Sequence, residues 1–243
     1  MQASKIAVTG IGLVSALGCT PDAALNALRN QHSGVRPSET LDGRPMAGQV
    51  CDFEPGRYMP KKKVRRMDAV NCYVIAAARM ALEEAVLDEE QRLACGIVVG
   101  TGFAGLTSVV KHQKRFMEEG IEQLSPIHFP TTVYNASAGL AAIELGLTGP
   151  NTTVTGVDLP AEYALLYACL MLRVGMASHL VLVGADELSE PLMQCFSDMG
   201  LLADARGAGG FVPGEGAAAL VLELADGARA RGARVLGTIE GIG

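Results

Sequence analysis

Two stretches constrain this chain more than any other feature, Lys5-Ile-Ala-Val-Thr-Gly-Ile-Gly12 and Cys95-Gly-Ile-Val-Val-Gly-Thr-Gly102. Each is a short run of β-branched residues closing on glycines, the pattern of a strand covered on both faces that ends in a tight turn. A strand without a solvent face needs helices above and below its sheet, so the segments between the strands should be helical and apolar on one side.

The rest of the sequence fits that demand. Thr20-Pro21 predicts a capped helix start running to about Gln31. Over 66–86 the apolar positions Met67, Val70, Val74, Ile75, Ala78, Leu82 and Ala85 recur at three- and four-residue spacing, which predicts one stripe along a long helix. Helical segments are expected over 103–119 and 130–146, and strands over 152–157, 179–184, 217–223 and 235–239, the last pairing with the one before it. The span 161–175 is apolar nearly all round and predicts a helix enclosed on every side. Residues 33–60 read as an irregular excursion with one short strand over 47–50. The alternation of strand and helix predicts an α/β fold, a mostly parallel sheet with helices on both faces.

Composition narrows the class. Twenty Lys and Arg against 26 Asp and Glu leave a formal charge of −6, which argues against binding nucleic acid through bulk positive charge. Charged residues are only 19 %, where about 25 % is usual, and the mean hydropathy is +0.26. Part of the apolar surface is therefore expected to be covered by another chain, since large solvated apolar patches are uncommon on monomers. The six cysteines stand singly, with no Cys-x-x-Cys pair and no histidine at metal spacing. A cytoplasmic chain with reduced thiols and no metal or cofactor is expected. The longest apolar stretch carries Glu162, Arg173 and His179 and does not read as a membrane span.

Five segments stand in an order that matters: Val8-Thr-Gly-Ile-Gly-Leu-Val-Ser-Ala-Leu-Gly18, Val99-Gly-Thr-Gly-Phe-Ala-Gly-Leu106, Tyr134-Asn-Ala-Ser-Ala-Gly139, Gly149-Pro-Asn-Thr-Thr-Val154 and Gly210-Phe-Val-Pro-Gly-Glu-Gly-Ala-Ala-Ala-Leu220. Together they resemble the β-ketoacyl synthase (ketosynthase) family, whose fold is thiolase-type with two related halves. The resemblance implies that residues 1–243 correspond to the N-terminal half, with the C-terminal half of the family absent. It also implies a condensing mechanism that uses a Cys from the first half and two His residues from the second.

In active members a Cys follows the Gly-Pro-Asn segment seven residues beyond the Asn. Counting from Asn151 gives Asp158. A thiol at a helix N-terminus has its pKa lowered by the backbone dipoles and accepts an acyl group from a thioester. A carboxylate there is a poor nucleophile, and acylating it would give a reactive anhydride. Asp158 reads either as a helix N-cap, with Pro160 preorganising the first turn, or as a general base or decarboxylating group. Cys72, Cys95 and Cys169 read as inert core thiols, Cys19 and Cys51 as loop residues, and Cys195 as an outside candidate beside Phe196. The four histidines are unpaired in sequence; His128, beside Phe129, could line a cleft or serve structure.

The run Lys61-Lys-Lys-Val-Arg-Arg66 is the strong basic feature of an acidic chain. It reads as a solvated helix start or as a docking site (Lys61, Lys62, Lys63, Arg65, Arg66) for an acidic acyl carrier protein or its phosphopantetheine phosphate. Glu215, between glycines, reads as structural. Phe196 and Phe211 match family positions near the acyl channel, and core packing would explain them equally.

The reading that results is a ketosynthase-like subunit that is inactive alone and pairs as a heterodimer with an active ketosynthase, resembling the chain-length factors of type II polyketide and aryl polyene synthases or serving fatty acid synthesis. Asn151, Thr152 and Val154 would lie at the interface, and Asp158, Glu162 and Tyr163 near the acyl channel, where the last two could block this chain's own pocket. The alternatives are a carrier-dependent acyltransferase or decarboxylase using Asp158 or a loop Cys, and a fragment of a longer ketosynthase.

Overall fold

The computed structural model of the chain describes residues 5–38, 45–124, 126–204 and 208–241, with the backbone alone at 127 and 128. In chain order the elements are β1 (Ile6–Ser15), α1 (Pro21–Arg29), β2 (Arg36–Pro37), β3 (Met46–Ala47), α2 (Lys61–Val64), α3 (Ala69–Ala85), α4 (Glu89–Ala94), β4 (Gly96–Thr101), α5 (Leu106–Glu119), α6 (Ala136–Leu145), β5 (Asn151–Thr155), α7 (Pro160–Arg173), β6 (His179–Asp186), α8 (Glu190–Asp198), β7 (Gly216–Leu224), α9 (Ala225–Ala230) and β8 (Gly237–Ile239). The main sheet has the order β5-β4-β6-β7-β1-β8. Strands β5, β4 and β6 are mutually parallel, whereas β7 is antiparallel to both β6 and β1, and β8 to β1. β1 therefore runs the same way as β4, β5 and β6, and only β7 and β8 are reversed. The α/β class and the mostly parallel sheet expected above are what the structure has.

Alternation along the central strands splits the core into two layers, because successive side chains point to opposite faces. Ile97, Val99, Val181 and Val183 face α3 and α6. Val98, Leu180 and Leu182 face α7. The glycines of β1 explain how closely the first layer packs. A β-carbon on Gly12 would sit 1.9 Å from the Ala77 carbonyl oxygen, and one on Gly10 would sit 2.0 Å from that of Ala81, one helical turn further on. α3 thus lies with its backbone directly on β1.

That contact corrects an expectation. α3 is not amphipathic with one stripe; twelve of its residues, from Val70 to Ala85, are buried, because β1, β6, β7 and α6 all pack against it. It is α3 that is enclosed. α7 is not, for Tyr163, Leu166, Tyr167, Leu170 and Val174 on its outer side are exposed. Periodicity reads both helices as rich in apolar residues and cannot say which neighbours they meet.

β8 pairs with β1 rather than with β7, because α9 occupies the turn after β7 and carries the chain past it. The short strand expected over 47–50 forms ladder pairs only at Met46 and Ala47. α4, α8 and α9 were not expected; α4 and α8 nevertheless carry sequence signals, a capping box from Asp88 and Gln91 and a Ser189 cap that accepts from Leu192 N.

A buried charge cluster closes the far end of the sheet. Glu223 of β7 accepts from Arg231 (Nη2, 2.7 Å) and from the Thr9 hydroxyl (2.8 Å), with His179 Nε2 at 3.5 Å. Burial pushes its carboxyl upward, but the hydrogen bonds from His179, Arg231 and Thr9 outweigh this and hold it down to about 2. Arg231 also donates to the Ala85 and Val86 carbonyls, where α3 ends in a left-handed Val86 without the usual glycine.

Candidate functional site

The region of interest lies at the C-terminal ends of β4, β5 and β6. After β5 the chain turns through Gly156, Val157 and Asp158, and α7 begins at Pro160. Its first turn rests on two glycines paired in register on adjacent strands, Gly100 of β4 and Gly184 of β6. A β-carbon on Gly100 would sit 2.4 Å from the Pro160 carbonyl oxygen, and one on Gly184 would sit 2.7 Å from the Ala161 β-carbon. The sequence thereby seats the start of α7 at a fixed depth in the sheet.

The cap is not the one expected. Leu159 takes the N-cap position in the left-handed conformation, φ 51° and ψ 39°, with no side-chain cap. Asp158 precedes it and is exposed. The N-cap position thus falls one residue after Asp158 and carries no side-chain cap, which corrects the expectation that Asp158 caps this helix.

Beside this turn lies an open cleft of about 600 Å³, lined by the ends of β1, β6 and β7, by Gly48 and by Leu159, Pro160, Ala161 and Glu162. Its acidic groups are mostly committed. Asp186 accepts from Phe103 N (2.8 Å), Gly102 N (3.0 Å) and the Thr101 hydroxyl (2.8 Å), which fixes the exit from β4. Glu215 accepts from Val50 N (2.9 Å) and Leu188 N (3.0 Å) and tethers the rim, as its structural reading anticipated. Glu162 lines the cleft and is exposed. Tyr163 is exposed on the outer face of α7 instead, so of the two only Glu162 lines the cleft. No described cysteine or histidine lines the cleft.

The thiols lie elsewhere. Burial pushes Cys95 up to about 12 and Cys72 up to about 11, and it raises Cys169 too; a thiol that stays protonated is a weak nucleophile. Cys195 is exposed, and Cys19 and Cys51 are half-buried. The His128 side chain is outside the described residues.

The structure brings Phe196 and Phe211 together and adds a third ring. Phe196 meets Phe103 edge-on at 5.9 Å and Phe211 at 5.0 Å. Phe103 stands right after Gly102 in the Val99–Leu106 motif, and that place in the chain was the available signal. Asn151, Thr152 and Val154 lie on β5, an edge strand bonded only to β4 among the described residues. The Asn151 side-chain amide donates to the Ala138 carbonyl at 3.1 Å and ties the strand to α6. Thr153 Oγ1 is buried with no described partner.

The basic run divides. Lys63 forms an ion pair with Glu144 of α6, and Lys61 and Lys62 are exposed on α2. Arg65 and Arg66 turn to a separate pocket of about 250 Å³, where they meet Lys111, His112 and Arg115 of α5. Sequence reasoning missed these α5 residues because helical spacing alone does not say which helix face meets the 61–66 turn.

The profile described as "Beta-ketoacyl synthase, N-terminal domain" matches residues 3–228. A 3-oxoacyl-[acyl-carrier-protein] synthase 2 of Vibrio harveyi is 32 % identical over 262 residues, and a chloroplastic 3-oxoacyl-[acyl-carrier-protein] synthase I of Arabidopsis thaliana is 30 % identical over 254 residues. The first alignment takes in all of this chain and 63 % of the relative, the second 96 % and 54 %. The chain therefore spans less than two thirds of the length of the curated relatives it matches. Among solved structures, "The ishigamide ketosynthase/chain length factor" superposes with a TM-score of 0.84 at 28 % identity, over 98 % of this chain and 63 % of that one.

Proposed function

Because the chain belongs to the β-ketoacyl synthase family, we propose that it is a ketosynthase-like subunit without a nucleophile of its own, working beside an active ketosynthase as a chain-length factor does. One observation carries the reading: Asp158, exposed ahead of a left-handed Leu159, stands where the family's acyl-accepting Cys is expected. The first thiol along α7, Cys169, is fully buried in the core and pushed up by that burial. A carboxylate at this helix end is favoured electrostatically by the dipole, yet acyl transfer to it would expel the carrier thiolate and leave a reactive mixed anhydride rather than a thioester.

Two surfaces support the partnership. The outer face of α7 and the free edge of β5 adjoin, and both are apolar or unpaired in the single chain; a ketosynthase subunit would cover them as one continuous interface. Arg65 and Arg66, with Lys61 and Lys62 nearby, give an acidic carrier protein a place to dock by electrostatic steering. The reaction so served is elongation of a carrier-bound acyl chain in type II polyketide, aryl polyene or fatty acid synthesis. Glu162, which lines the cleft, would limit what enters this chain's own pocket. The likeness at 28 % identity to the ishigamide ketosynthase/chain length factor supports the same reading.

The test is incubation with an acyl-carrier thioester, with and without a co-purified ketosynthase, followed by intact mass and peptide mapping. An acyl adduct on the ketosynthase and none on this chain is expected. A stoichiometric acyl adduct on this chain alone would overturn the reading.

A further inference from the structure

We propose that Cys19 and Cys51 form a reversible disulfide, a modification site whose reaction partner is a low-molecular-weight disulfide such as oxidised glutathione. The two cysteines are 32 positions apart in the chain, and the fold brings the Cys19 sulfur to 3.4 Å from the Cys51 carbonyl oxygen. The Cys51 thiol donates to the Gln49 carbonyl at 3.5 Å. A thiol is a weak donor, so a rotamer change that turns Cys51 towards Cys19 gives up little. Both are half-buried, whereas Cys72, Cys95 and Cys169 are buried and Cys195 is exposed.

Each cysteine sits on a tied-down piece of backbone. Cys19 follows a turn in which Ser15 and Gly18 exchange backbone hydrogen bonds of 2.9 and 3.1 Å. That turn packs closely on α1, since a β-carbon on Gly18 would lie 2.7 Å from the Ala23 β-carbon. Cys51 is flanked by Val50, whose N–H donates to Glu215 at 2.9 Å, and by Asp52, whose φ of 56° is left-handed. Gly48 exchanges backbone bonds with Pro213 and Glu215 at 2.8 and 3.0 Å. Ser15, Ala16 and Leu17 line one side of the cleft beside α7, and Gly48 and Glu215 line another. A bridge between Cys19 and Cys51 would therefore link two walls of that cleft and hold their separation.

Burial, and then the Asp52 carboxylate, push the Cys19 thiol up, so Cys19 suits the second step rather than the first. The Cys51 thiolate attacks one sulfur of the glutathione disulfide, forming a mixed disulfide and expelling a glutathione thiolate. The Cys19 thiolate then attacks the Cys51 sulfur, forming the bridge and expelling the second glutathione thiolate. The protein gives up two protons and two electrons, and the two released glutathione molecules take them as thiols. The bridge is only half-buried and so stays open to reduction by the same pool.

The experiment uses the full chain with Cys195→Ser, which removes the exposed competing thiol, and adds Cys19→Ser or Cys51→Ser with the melting temperature as a folding check. In folded protein equilibrated with oxidised glutathione, the intact mass is expected to fall by two hydrogens. A non-reducing peptide map should join Cys19 to Cys51, and reduced glutathione should reverse both changes. With Cys19→Ser, Cys51 should keep one glutathione; with Cys51→Ser, glutathione should reach Cys19 at least tenfold more slowly. The bridged form should melt roughly 5–10 °C higher, because the closed loop restricts the unfolded chain. No joined peptide from folded protein, or one that appears only in urea, would overturn the site. Hydrogen exchange at 15–19 and 48–51 tests the coupling to the cleft. Exchange at least threefold slower in the bridged form supports it, and unchanged exchange would overturn the coupling and spare the bridge.

Discussion

Gly100 and Pro160 touch through their backbones: a β-carbon added to Gly100 would lie 2.4 Å from the Pro160 carbonyl oxygen. Backbone cannot yield as a flexible side chain can, so Gly100→Ala is expected to lift the first turn of α7 or strain β4. Overpacking of this kind costs about 1–3 kcal/mol, read as a lower urea midpoint. Gly139→Ala in α6, where an added β-carbon meets nothing within 4 Å, serves as the control. It should add about 0.5–1 kcal/mol of stability and so raise the midpoint, since alanine loses less backbone freedom in a helix.

If the turn before α7 has a geometry that activates a thiol, introducing one should show it. In a Cys195→Ser background, Asp158→Cys is expected to alkylate faster than any remaining native cysteine, because position 158 is exposed and a helix N-terminus favours the thiolate. Cys72, Cys95 and Cys169 should stay protected until the chain unfolds. The check is residue-resolved alkylation across pH 6–9. Reactivity at 158 no greater than that of Cys19 or Cys51 would show that the left-handed Leu159 turns the position away from the dipole.

Glu223 sets an acid limit. Its carboxyl is held down to about 2 in the fold, against about 4.3 when unfolded. Its contribution is therefore present above pH 4.3 and is lost as pH falls from there towards 2. Arg231→Met leaves a buried carboxylate short of its main partner and is expected to lower stability at pH 7 by about 3–5 kcal/mol. The gap between wild type and variant should narrow as pH drops from 5 to 2.5, measured by thermal melts.

Glu187 works in the opposite sense. It is buried, accepts from Val70 N at 2.9 Å and bonds the Thr107 hydroxyl; burial raises its pKa despite those bonds, and Asp68 and Glu215 add to the rise. Such a group stabilises the fold fully only below its unfolded value of about 4.3 and loses that contribution as pH rises through the folded value. Glu187→Gln keeps an acceptor for Val70 N and removes the charge. Its melting temperature should therefore gain on wild type between pH 4 and pH 8. A variant advantage that shrinks with rising pH would contradict the assignment.

What could be read from residues alone divides along a physical line. The strands around Val8 and Val99 were legible because burial on both faces leaves a continuous β-branched run, and the Gly-rich exits mark where backbones approach. The same reading could not tell that α3 is enclosed and α7 half-open, since both helices are rich in apolar residues and only tertiary neighbours decide. Asp158 was singled out by its distance from Asn151, but that Leu159 rather than Asp158 takes the N-cap position depends on one dihedral angle at Leu159. The pocket of Arg66 and Lys111 joins residues 45 positions apart, a pairing no local pattern contains.

The open face of α7 gives the last expectation. Leu166, Tyr167 and Leu170 are exposed at 39 %, 42 % and 46 %, beside the unpaired edge of β5. An apolar face continuous with a free strand edge favours association, so the isolated chain is expected to self-associate at micromolar concentration. Leu166→Glu/Leu170→Glu should shift it towards monomer in sedimentation velocity. The melting temperature should stay within a few degrees of wild type, because both side chains already face outward. The same variant should bind a co-expressed ketosynthase at least tenfold more weakly. A wild-type chain that remains monomeric at high concentration, or a variant that pairs as tightly as before, would show that this face is not the interface.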